Sequence, residues 1–173
     1  MARSRINRVF ETRLNSTPEK VFPLLCPVRE YEWIPQWQCE MIHSKSGVAE
    51  LGCVFSTDFN DGFGKEVWVV SHFEPDSKIG FVRVGPVRST RYVIELRPQG
   101  DGSMISWRQE ITSLNDQDLS SLAAISEKNF RTLMKTLNKM LDYYLQHGIP
   151  LETDAAKVHN KLTTSQEDES ISR

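Results

Sequence analysis

The chain reads as an α+β protein in which a seven-stranded antiparallel sheet wraps around one long carboxy-terminal helix, with two short helices between the first and second strands. Three observations predict this. Residues 118–147 carry one apolar stripe at helical spacing. Seven strand-like runs precede that stretch, and those after the first are parted only by short turn-forming sequences. The first connection alone has room for helices of its own, so sequential antiparallel pairing is the cheapest topology for the rest.

Strand one is read over residues 6–14, with Ile6, Arg8, Phe10, Thr12 and Leu14 on one face. The stretch N-S-T-P-E follows. In it Ser16 or Thr17 can cap a helix, Pro18 suits its first position and Glu19 complements its dipole. A short helix through Val21, Phe22, Leu24 and Leu25 ends at Pro27. Residues 27–38, PVREYEWIPQWQ, give a second short helix and then a bend at Ile34-Pro35.

Six further strands are expected at 39–44, 53–59, 65–74, 78–85, 89–97 and 104–113. Between them lie S-G, D-G, P-D, G-P and G-D-G turns. On the long helix, Leu119, Leu122, Ala123, Phe130, Leu133, Met134, Leu137, Met140, Leu141 and Tyr144 share one face, opposite Lys128, Arg131, Lys135, Lys139, Asp142 and Gln146. About 30 residues at about 1.5 Å each make a rod of about 45 Å. Gly148 and Pro150 are placed to stop it. The organisation expected is one domain over residues 1–150 and a polar tail over 151–173, disordered or loosely docked from about Thr163.

Composition narrows the class. With 173 residues, 39% hydrophobic and 25% charged, the chain can bury one core and has no apolar run near the ~20 residues of a membrane span. Arg3, Arg5 and Arg8 are followed by no apolar signal segment, so a soluble cytoplasmic protein is expected. Cys26, Cys39 and Cys53 are odd in number and form no C-x-x-C pair, which argues for reduced thiols. A net charge of −2 makes no electrostatic case for nucleic acid. His43, His72, His147 and His159 stand in no metal spacing, and no cofactor fingerprint occurs. Neither a metal nor a cofactor is therefore expected, and oligomeric state is left open.

The S-T-P-E-K-V-F run at residues 16–22, the turn-bounded meander and the final helix together resemble the helix-grip fold of the START/SRPBCC superfamily, which includes polyketide cyclase/dehydrase-like proteins. The run C-P-V-R-E-Y-E-W-I-P-Q-W at 26–37 is similar to an uncharacterised bacterial subgroup of it. The resemblance spans about residues 5–147. It implies a cavity between the concave sheet face and the long helix, open near the short helices. A fold of this kind does not assign a function.

The residues themselves allow either a gapped or a filled interior. Ser126 falls at the centre of the helical stripe, and Met134 and Met140 are flexible gap-fillers; a solid core with one buried serine is the plainer alternative. Alternation puts Tyr92, Ile94 and Leu96 inward on strand six, and Ile105, Trp107, Gln109 and Ile111 inward on strand seven. Gln109 is an amide in an apolar row and needs partners. Thr57 and Arg83 can add polar lining, although Arg83 also suits a solvated strand face.

An apolar or aromatic ligand would lie between the helix around Phe130 and Met134 and the row holding Tyr92, Trp107 and Gln109. Trp33 and Trp37 would stand at the entrance. The ligand-binding candidates are thus Trp33, Trp37, Thr57, Arg83, Tyr92, Trp107, Gln109, Phe130 and Met134. No catalytic residue is singled out. His72 beside Glu66 or Glu74 fits an exposed mixed face better than an acid–base pair. Glu30 and Glu32 can place a carboxylate at a cavity mouth or simply wet the side of a short helix. Two functions follow: binding of a small hydrophobic ligand, or a cyclase/dehydratase acting on such a ligand in the same cavity. A weaker third reading makes the tail a partner-binding module.

Overall fold

The computed structural model describes residues 5–114, 122 and 125–152. Strand β1 (Arg5–Leu14) leads into helix α1 (Pro18–Val21), which tightens into a 3-10 turn at Phe22–Leu25; a second 3-10 turn follows at Glu30–Glu32. Then come β2 (Glu40–His43), β3 (Val54–Thr57), β4 (Glu66–Glu74), β5 (Lys78–Val84), β6 (Arg88–Gln99), β7 (Gly102–Ser113) and the long helix α2 (Glu127–His147). The sheet order is β1-β7-β6-β5-β4-β3-β2, antiparallel throughout. Every strand but the first therefore pairs with its neighbour in sequence, and β1 closes against β7.

Alternation holds where it matters for the interior. Phe10 and Leu14 are buried on β1, as are Tyr92, Ile94 and Leu96 on β6 and Ile105, Trp107, Gln109 and Ile111 on β7. The register sets Tyr92 opposite Gln109 and Ile94 opposite Trp107, so these side chains share the concave face. Strand β4 departs from expectation. Its row Glu66, Trp68, Val70 is buried and not an exposed mixed face. A register shift between Val70 and His72 then turns the strand end outward, where His72 Nε2 meets Glu74 Oε1 at 2.9 Å.

The long helix also departs. It starts at Glu127, because Ser126 is its N-cap: the Ser126 Oγ accepts from the Asn129 amide at 3.1 Å. Ser126 is thus no part of an apolar stripe. The expected first turns fall mostly on residues 115–121, 123 and 124, outside the described residues, although Leu122 is buried. Gly148 ends the helix as expected, in the left-handed conformation at φ 69°, with its N–H bonded to Tyr144 O. The residues of α2 set deepest are Phe130, Met134, Asn138, Met140 and Leu141. Leu133 is 55% exposed and Leu137 only half-buried, so the stripe is rotated from the one periodicity drew.

The residues expected to form a tail, from 153 onward, lie outside the described residues. No helix of the described residues is long and apolar enough to cross a membrane.

Candidate functional site

Between the concave face of the sheet and α2 lies a hollow of about 910 Å³. Its floor is a continuous aromatic row running across five strands. Phe55 stacks on Trp68 at 5.4 Å, Trp68 meets Phe81 edge-on at 5.8 Å, Phe81 touches Tyr92 at 6.2 Å, and Tyr92 touches Trp107 at 6.2 Å. Such rings bury large areas in few conformations and hold one another in place. Phe130, Met134 and Met140 of α2 form the roof, and Leu133 and Leu137 overhang the opening. This explains the rotated stripe: the helix spans a void, so side chains on that flank meet space and not packed sheet.

The β1–β2 connection makes the third wall. Trp33 donates from Nε1 to Leu24 O at 2.8 Å and is 1% exposed, so it belongs to the inner wall and not to the entrance. Trp37 donates to Pro27 O at 2.7 Å and packs on Phe59, 39% exposed, at the mouth. Arg29 grips both oxygens of Glu32 at 2.7 and 2.9 Å, and the Tyr144 hydroxyl donates to the same carboxylate, tying this wall to the end of α2. Those bonds, Arg29 first, hold Glu32 down to about 2.

Two residues earlier, Glu30 has the opposite environment. Its side chain borders the hollow and, among the described residues, has no hydrogen-bond partner. Burial alone pushes its carboxyl up to about 8. Neighbouring carboxyls on one short turn are thus driven apart, one ionised and clamped, the other neutral near pH 7 and facing the cavity. Tyr92 lies within electrostatic reach of Glu30 on one side and of Arg83 on the other. Its phenol is held well above the ordinary range, by burial first and then by Glu30.

A second polar group closes one end. Glu66, 1% exposed, is held by Arg88 through two bonds of 2.8 and 2.9 Å, while Arg83 approaches Glu66 at 3.4 Å. The Arg88 guanidinium lies 3.6 Å from the Phe63 ring centre, and that of Arg83 lies 4.7 Å from the Trp68 ring centre. Arg83 is 7% exposed and lines the hollow, so its solvated alternative falls away.

Of the nine candidates drawn from the sequence, Trp33, Trp37, Arg83, Tyr92, Trp107, Gln109, Phe130 and Met134 border the hollow. Thr57 does not; it stands behind the wall, accepting from Trp68 Nε1 at 2.9 Å. Trp68 escaped the sequence reading because its strand was assigned an exposed face. Asn138 escaped too. It sits one turn beyond Met134, accepts from Trp107 Nε1 at 3.3 Å and donates to Met134 O at 2.8 Å. The i, i+4, i+8 spacing of Phe130, Met134 and Asn138 was the available signal. Gln109 stands opposite Tyr92 in the β6–β7 register, within reach of the phenol, whose hydroxyl donates to Met134 Sδ at 4.0 Å.

The chain has the helix-grip fold. Mll3558 of Rhizobium loti is similar to it at 18% identity, with 81% of this chain and 99% of that one covered and a TM-score of 0.59. Ara h 8.0201 is similar at 14% identity, with 83% and 99% covered and a TM-score of 0.60. CalU16 of Micromonospora echinospora is similar at 14% identity, with 86% and 88% covered and a TM-score of 0.55. At these identities the likeness is one of fold. No protein-family model and no curated protein sequence matches the chain.

Proposed function

We propose that the protein binds a small hydrophobic or aromatic molecule, lipid-like or polyketide-like, in the hollow between sheet and helix. The observation that carries this is the hollow itself: about 910 Å³ bounded by an aromatic row and by Phe130, Met134 and Met140, a size and lining typical of small-molecule sites. Unfilled core volume on this scale is costly, since each lost methylene contact weakens packing. A ligand that fills it recovers that loss. The partner in this reading is a small molecule and not nucleic acid. A cytoplasmic location is part of the reading, supported by the free thiols Cys26, Cys39 and Cys53.

Native mass spectrometry of protein purified from its own host tests it. A bound small molecule of defined mass is expected; repeated recovery of empty protein, with no saturable change of tryptophan emission on adding apolar compounds, overturns it. The functional unit proposed is residues 1–150, so deleting 163–173 should leave binding and stability unchanged.

One observation favours a second reading, an enzyme of the cyclase/dehydratase kind. Glu30 is a neutral carboxyl facing the hollow, able to give or take one proton near neutral pH. Under this reading a bound β-hydroxy ketone loses its α-proton and its β-hydroxyl as one water to leave an enone, the Glu30 carboxyl giving its proton to the leaving hydroxyl and regaining one from the α-carbon, and Glu30→Gln abolishes the loss while still binding the compound. Equal conversion by the variant would sink it.

A further inference from the structure

The two buried arginines at the end of the hollow are not equally satisfied. Glu66 has two oxygens, and Arg88 takes both in a paired arrangement. Arg83 is left with a single Nη1 contact of 3.4 Å to an oxygen already engaged, and its Nε has no acceptor. Among the described residues Arg83 makes no hydrogen bond. Asp61 offsets the imbalance only in part: it acts on Arg83 after Glu66 and Tyr92, lies 3.8 Å from Arg88, and its side chain is 37% exposed. Two guanidinium groups thus share one buried carboxylate, and the surplus charge sits on Arg83, held in place over Trp68, which Thr57 in turn fixes.

A buried cation without a partner is expensive, and a planar guanidinium with open donors matches a carboxylate two bonds at a time. Burial and the adjacent Arg88 together draw Arg83 down to about 10, and a bound anion opposes both effects. Glu30, on another wall of the hollow, is pushed up to about 8 by burial and so is neutral near pH 7, where it does not compete for Arg83.

We propose that the ligand is an amphipathic organic acid, with its aromatic or aliphatic body along the row from Phe55 to Trp107 and its carboxylate on Arg83. The proposal rests on the reading of the hollow as a ligand site, and adds to it the chemical class of the ligand and the residue that selects it. Arg88, already paired, acts only as the group that keeps Glu66 from neutralising Arg83.

The test uses the full chain and two probe pairs, 2-naphthoic acid with its methyl ester and dodecanoic acid with its methyl ester, followed by calorimetry at pH 7. At least one acid should bind ten-fold or more tightly than its ester. Arg83→Met should collapse that ratio to near one while ester binding persists, and Arg83→Lys should restore part of it. In wild-type protein labelled with ¹⁵N, the Arg83 side-chain resonances should move on adding the acid and not the ester, a readout independent of any variant's folding. Sodium phosphate at the same concentration should not displace the acid; displacement would mean a site for a free anion and overturn the proposed apolar body. Esters binding as well as acids would overturn the role of Arg83 and leave the hollow a neutral-ligand site. Failure of all four probes would instead overturn the ligand-binding reading beneath it.

Discussion

Replacing Glu30 by glutamine keeps the size of the side chain and removes a carboxyl whose charge burial opposes. In the unfolded chain its carboxyl titrates in the ordinary carboxylate range near 4.5, whereas burial in the native protein pushes it up to about 8. Between those values the native state holds a proton that the unfolded state has released, so stability falls as pH rises through the window. At about 1.36 kcal/mol per pH unit the limit is about 5 kcal/mol, and water admitted through the open mouth brings the expected figure to about 2–5 kcal/mol. The neighbours do not blur the window. Glu32 is held down to about 2, while Tyr92 and Cys39 are pushed above their usual ranges by burial.

Urea unfolding of wild type and Glu30→Gln at half-unit steps from pH 4.5 to 8.5 reads the difference directly. Wild type should lose stability relative to the variant by that amount across the range, with the slope vanishing above about pH 8. A difference constant within about 0.5 kcal/mol throughout would show that the carboxyl is hydrated and ordinary, and would remove the support for the enzyme reading.

Three further outcomes follow from the same geometry. Leu141→Ala, at a fully buried position, should cost about 2–5 kcal/mol in chemical denaturation, whereas Leu137→Ala at the cavity mouth should cost under about 1 kcal/mol; equal losses would mean that no void lies beneath Leu137. Arg88→Met should cost about 3–5 kcal/mol because it strips both hydrogen bonds from buried Glu66, and Arg83→Met should cost distinctly less; the reverse order in thermal or urea unfolding would refute the assignment of the pair. All four tryptophans border the hollow, so Trp107→Phe alone should only reduce a ligand's effect on emission, and Trp68→Phe combined with it should remove most of the effect; Gln109→Leu should change which ligands bind more than it changes stability.

The architecture was legible because it depends on patterns local in sequence. Alternation on β6 and β7 placed Tyr92, Trp107 and Gln109 on one face, and short turns allowed only sequential pairing after the first connection. The same locality explains the misreadings. The apolar repeat resumes on both sides of Ser126 at helical spacing, yet a helix begins where an amide finds a cap, and only backbone geometry shows Ser126 to be that cap. Leu137 and Leu141 look alike in a periodic stripe; what separates them is whether sheet or empty space lies opposite. On β4, hydropathy averages a buried half and an exposed half that a register shift divides at Val70.

By itself, then, the sequence determined a seven-stranded antiparallel sheet, one long amphipathic helix and a set of inward aromatics, because each follows from spacing along the chain. The tertiary structure decided the charges. Glu66 and Arg88 lie 22 residues apart, and Tyr144 meets Glu32 across 112 residues, so no periodicity predicts either contact. Whether a carboxyl or guanidinium is paired, stranded or neutral depends on the dielectric and partners that folding brings around it, as the opposite fates of Glu30 and Glu32 and of Arg83 and Arg88 demonstrate.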